Sequence, residues 1–202
     1  TALGGIGTGS VEIRSDGYFH EWMIFNLGPW AQSGSRVQLG TPPEMDPGAF
    51  AFFLRTQSGD DAPQVRRLGT RGDQNELYSL SWAKNVEAID YDATFPVAAL
   101  RYLDSTLPVA VSSTIFSPFA PHDARTSGTP GVHVAFTIRN TSAKHVRASL
   151  ATRLANPLAW GAADRALKLA VTKDGATTYL TMRTGATLPQ PSTIGSLGLS
   201  VT

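Results

Sequence analysis

No cysteine occurs anywhere in the 202 residues. That excludes a disulfide framework, a thiolate metal site and a cysteine nucleophile. It leaves an oxidising compartment open, because a chain of this length can bury a core without staples. Charge is scarce as well: 16% of residues are charged and the formal net charge is +1. No global field draws in nucleic acid or acidic lipid, and Arg66-Arg67 is too short to make a basic patch. No apolar run approaches the length that spans a bilayer. Helical periodicity is nearly missing too, since Gly161–Leu169 carries alanines but is short and flanked by strand-like sequence. There is no internal repeat and no linker long enough to divide the chain.

What is present begins with glycine. Gly4, Gly5, Gly7 and Gly9 crowd the first turn of the chain, in the manner of a phosphate cradle. The spacing fails both phosphate templates. Neither Gly5-Gly7 nor Gly7-Gly9 is followed by the third glycine of a dinucleotide fingerprint, and Ser10 stands where a P-loop needs lysine. Both templates also lead into a helix, whereas Val11 and Ile13 alternate with Glu12 and Arg14 as in a strand. Asp16-Gly17 then signals a hairpin, with Tyr18, Phe19 and Trp22 on the return. The run is a glycine-lined turn entering a β-hairpin.

Period-two alternation continues along the chain. Phe50, Phe52 and Leu54 share one face of a strand whose other face holds Phe53, which predicts burial on both sides. Val109, Val111 and Ile115 end at Ser117-Pro118. Val132, Val134, Phe136 and Ile138 face one way, Asn140–Lys144 turns, and Val146, Ala148 and Leu150 return, predicting a hairpin. Leu167, Leu169 and Val171 lead to Asp174-Gly175, from which Tyr179, Leu180 and Met182 come back. Gly28–Pro47 and Ser117–Pro130 read as long loops. The 19 glycines and 13 prolines punctuating short strands predict an all-β fold, a large antiparallel β-sandwich forming one domain over residues 1–202. The chain starts at Thr1 rather than Met, and Leu197–Thr202 reads as a strand cut off in mid-course, so we expect a fragment, with the sandwich incomplete at its C-terminal end. Localisation does not follow from such a sequence.

The candidate chemistry is thin. Asp90 and Asp92 fall on one face of a strand beside Tyr91, on what reads as a solvated edge rather than across a cleft. His20, His122, His133 and His145 lack metal-ligand spacing, so no metal and no cofactor is expected. Ser10 enters a strand without the second glycine of a nucleophile elbow. His122-Asp123 lies in a loop stiffened by Pro118 and Pro121; it reads as a recognition pair or, more simply, as Asp123 bonding its own turn. Trp30, in a Pro/Gly loop, is the best flat surface for a sugar ring, while Trp22, at strand spacing from Ile24, belongs to the core. Asn140-Thr141-Ser142 matches a glycosylation acceptor of a kind common by chance.

Two blocks together carry a resemblance. The first is Leu3–Ser10 with Gly17-Tyr18-Phe19-His20-Glu21-Trp22-Met23-Ile24-Phe25-Asn26; the second runs from Leu107 through Phe116–Asp123 and Pro130-Gly131-Val132 to Phe136–Ser142. In order and spacing they resemble the N-terminal domain of glycoside hydrolase family 116, the bile-acid-type β-glucosidases and non-lysosomal glucosylceramidases. Similarity continues weakly at Asn156-Pro157 and Gly195–Ser200, and only loosely over residues 28–92. The resemblance implies a supersandwich-like domain packed on a C-terminal (α/α)6 barrel, with hydrolysis of β-glucosides by retention. It places the nucleophile and the acid/base in that barrel, so no catalytic residue carries over to this chain. The implied partners are the catalytic domain and, through it, a β-glucoside. Gly5, Gly7, Gly9, Trp30, His122 and Asp123 are then expected at the domain interface or the rim of the active site. The alternative is a free-standing carbohydrate-binding or structural module.

Overall fold

The computed structural model describes residues 1–24, 50–70, 83–156, 158, 166–184 and 196–202. Strands dominate. β1 (Ala2–Leu3), β2 (Ser10–Ile13) and β3 (Phe19–Met23) form an N-terminal sheet in that order. A second sheet has the order β11-β4-β5-β6, built from β4 (Phe50–Ser58), β5 (Gln64–Arg67), β6 (Lys84–Asn85) and β11 (Val146–Leu154). A third, β10-β9-β8-β7, comprises β7 (Ala88–Thr94), β8 (Val97–Leu103), β9 (Val109–Phe116) and β10 (His133–Asn140). The last contains β12 (Leu167–Asp174), β13 (Thr177–Thr184) and β14 (Ser196–Val201) in sequence order. Pairing is antiparallel except for the short parallel contact of β5 with β6. This is the all-β sandwich expected from the alternation.

The core lies where the first three sheets meet. Val11 and Ile13 point inward from β2, Phe19 and Trp22 from β3, Phe52 and Leu54 from β4, and Leu100, Val111 and Ile115 from β8 and β9. Aromatic rings link the layers: Phe19 meets Phe50 at 4.8 Å, and Phe52 meets Phe136 edge-on at 4.9 Å. Offset and edge-on contacts of this kind add about 0.5–1.5 kcal/mol each beyond area burial. The outer face of β4 is covered as predicted, Phe53 and Ala51 joining Tyr18 and Ala83 in a second small cluster. Trp22 is a core residue whose indole Nε1 donates to Phe19 O at 3.2 Å.

Two expectations are corrected. The polar turn after Asn140 does not make a hairpin. β10 pairs with β9 and β11 with β4, so residues 141–145 carry the chain from one sheet to the other. Paired in this way, β10 packs Val134, Phe136 and Ile138 against the main core, and β11 adds Val146 and Leu154 at its two ends. The connection is tied to both sides, with Thr141 N donating to Pro108 O at 3.0 Å and Lys144 Nζ to Asp61 Oδ2 at 2.9 Å. Second, the Ser117–Pro130 loop is not all loop, because one helical turn, α1 (Ala124–Ser127), sits inside it. The Asp16-Gly17 and Asp174-Gly175 hairpins form as expected, with φ of +85° and +57° at the two glycines.

Candidate functional site

The two sequence blocks meet in space. The chain between β1 and β2 folds as a tight loop held by Thr8 N donating to Gly5 O at 3.0 Å. It lies against the segment that joins β9 to β10. Ile6 N donates to Ser127 O at 2.8 Å, Thr8 Oγ1 to Gly128 O at 3.2 Å, and Gly4 N to Ser117 Oγ at 2.7 Å. Ser117 Oγ in turn donates to Gly131 O at 3.1 Å. Residues more than a hundred positions apart are thus joined by backbone groups and short hydroxyls.

Gly5 is explained by this contact. A Cβ there would stand 2.7 Å from both Gly128 O and Thr129 O, so only glycine lets the two loops touch. Gly7 is instead conformational, at φ of +76°, and Gly9 is both, with φ of +114° and a Cβ position 3.0 Å from Met23 O. The serines went unread in the sequence, because a serine in a Pro/Gly loop looks like solvated filler. Ser127 is buried and clamps its loop, accepting from Ala120 N at 3.1 Å and donating to Ala120 O at 2.8 Å.

Asp123 is the N-cap of α1. Its Oδ1 accepts from Arg125 N at 3.0 Å and Thr126 N at 3.1 Å, and its Oδ2 from Thr126 Oγ1 at 2.6 Å. The Thr126 hydroxyl, with the two backbone N–H groups, holds this exposed carboxyl below the usual range. A general acid needs the opposite shift, so Asp123 is a structural anion rather than a proton donor. His122 beside it is exposed and takes φ of +66°, a left-handed conformation uncommon outside glycine. The glycine loop reaches residues 127–129 of this segment and makes no hydrogen bond to His122 or Asp123.

The other candidates lie apart. Trp30 and the loop Gly28–Pro47 fall outside the described residues. Asp90 and Asp92 sit on the exposed face of the edge strand β7, and Asp90 pairs with Arg101 at 3.0 Å. They neighbour each other along one strand, which is not the facing pair that glycoside hydrolysis requires. His20 Nε2 lies 2.9 Å from Asp16 Oδ2, and His133 stacks on Phe116 at 5.0 Å. Among the described residues no three His, Cys, Asp or Glu side chains are grouped to hold a metal ion. A groove of 420 Å³ beside the glycine loop is lined by Leu3, Val11, Trp22, Phe50, Leu197 and other side chains without an ionisable group. Among the described residues it has no acid or base to offer.

The matching family model is described as beta-glucosidase 2, glycosyl-hydrolase family 116, N-terminal, and it covers residues 1–194. The chain belongs to this family. Both blocks that carry the resemblance lie inside the match, while Gly195–Ser200 lies at or beyond its end. Comparison with curated proteins gives no match. No helix among the described residues is long and apolar enough to cross a membrane. In this family 116 chain the two blocks are joined both by the shared core and by the contact between the glycine loop and the α1 segment.

Proposed function

We propose that the chain is a non-catalytic β-sandwich of a retaining β-glucosidase or glucosylceramidase-like enzyme, and that it braces a C-terminal catalytic barrel. The observation that carries this is the junction itself. Two loops, one at the start of the sequence and one near its middle, are locked together by buried serines, backbone hydrogen bonds and a glycine contact, yet among the described residues they present no facing pair of carboxylates. A retaining enzyme holds its two carboxyl groups about 5–5.5 Å apart. A rigid sandwich end suits the support of such a geometry better than its execution. In this reading Gly5, Gly7, Gly9, His122 and Asp123 stand at the domain interface or the active-site rim, and residues 1–202 form one domain.

The test uses the longer enzyme that this reading requires. His122→Ala and Asp123→Ala are expected to lower kcat or thermal stability there. Asp123→Asn separates the roles, because asparagine caps a helix nearly as well as aspartate. Full recovery by Asp123→Asn assigns that residue to capping alone, and unchanged kinetics and stability in both alanine variants would remove the pair from the site.

A further inference from the structure

We infer that a contiguous aromatic and aliphatic surface beside the glycine loop, made by Ile6, Phe95, Val97, Phe116 and Phe119, is the face on which the catalytic part of the same protein docks. The inference rests on the reading of the chain as the bracing part of a longer enzyme. Each link in the surface is physical. Phe95 lies in the turn between β7 and β8 and meets Phe119 edge-on at 5.1 Å. Ile6, Gly7, Gly9, Ser10 and Phe95 enclose a shallow hollow of 280 Å³. Val97 stands opposite Phe116 in the register of β8 and β9, and Ser117 N donates to Pro96 O at 3.2 Å, tying this turn to the start of the α1 segment.

These side chains are not buried among themselves. Ile6 is 61% exposed, Phe95 48%, and Val97 and Phe119 40% each. The sequence around them carries no charged side chain over residues 1–11, 93–100 and 105–121. Aromatic enrichment with depletion of charge is the composition of an interface core, and contiguous exposed apolar surface of this kind marks an interaction site. The patch grows directly out of the locked loops, so a partner seated on it would meet a preorganised surface.

The experiment compares Phe95→Asp and Ile6→Asp with Leu169→Asp in the full-length enzyme. Leu169 is as exposed and apolar, at 66%, but lies on β12, outside this surface. Scanning calorimetry and limited proteolysis report whether the sandwich and the catalytic part unfold together. We expect Phe95→Asp and Ile6→Asp to split the thermal transition and to speed cleavage between the two parts about tenfold, the scale of losing one interface anchor. Leu169→Asp should do neither. Ile6→Asp, at the most exposed position of the patch, decides the matter if Phe95→Asp fails to fold. Coupling unchanged in both variants, or equally changed in the control, would overturn the inference. So would intact coupling with lost glucoside binding in calorimetric titration, which would make the patch a sugar site, or with a changed oligomeric state in light scattering, which would make it a contact between copies. A wild-type enzyme without β-glucoside turnover would sink the proposed activity and leave the coupling result standing.

Discussion

Gly5 and Gly7 separate two uses of glycine that look alike in a sequence. At Gly5 a side chain would collide with the carbonyls of Gly128 and Thr129, whereas at Gly7 a Cβ meets nothing within 4 Å and only φ is unfavourable. Gly5→Ala should therefore cost more than Gly7→Ala, whose penalty is about 1–2 kcal/mol of left-handed strain; urea denaturation of both variants ranks them. His122 inverts the argument. Its φ of +66° is strained, so His122→Gly should hold or raise stability while His122→Val lowers it by about 1–2 kcal/mol. The glycine run was legible as a turn leading into a hairpin, because Val11 and Ile13 alternate at once afterwards. Its partner was not legible, since nothing local in Leu3–Ser10 says that Ser117, Ser127 and Gly128 close on it. Asp123 was legible as a turn-bonding residue, and the structure gives that role its form as a cap.

Strands were read well wherever one face had to be buried. β4 is the clearest case: Phe52 and Leu54 face the main core and Phe53 the second cluster. Leu54→Ala should cost about 2–5 kcal/mol, the range for emptying a fully buried leucine site. Leu169→Ala on β12, where the side chain is mostly exposed, should stay within about 0.5 kcal/mol. Thermal or urea unfolding of the pair checks how far burial sets the scale, and equal losses would contradict this packing. The connection from β10 to β11 was misread for a physical reason. A polar turn between two alternating runs looks the same whether the runs pair with each other or with strands in facing sheets. The choice is made by the partners: β10 returns to the strand before it, β9, while β11 goes to β4, far earlier in the sequence.

At the scale of the whole molecule, few charges carry much of the polar structure. Arg66 Nε donates to Asp104 Oδ2 at 2.7 Å, and Asp104 is nearly enclosed. Burial pushes its carboxyl up, but hydrogen bonds from Thr106 and Arg66 outweigh this and leave it below the usual range. Asp16 is likewise lowered, by His20 and by Tyr18 N, against the opposing effect of burial. A carboxyl lowered in the folded state contributes stability above its unfolded value, about 3.9, and loses it as the pH falls through the folded value. Stability should therefore drop below about pH 4, and Asp104→Asn should flatten that drop, as urea midpoints at several pH values would show. The alkaline limb has the opposite sign. Burial pushes the Tyr102 hydroxyl up to about 12, although Ser113 bonds to it, so its contribution is lost as the pH rises above about 10, the unfolded value.

The fold class was written in the alternation and the glycine and proline punctuation; the family came from two blocks whose spatial meeting only the structure displays. Neither supplies a catalytic pair within the described residues, and the central claim is that this chain supports chemistry done elsewhere. The most direct test is β-glucoside hydrolysis by the purified Thr1–Thr202 chain beside the full-length enzyme. Turnover is expected of the longer protein, and none above the uncatalysed rate is expected of the chain alone. Turnover that scales with the concentration of the 202-residue chain would contradict it.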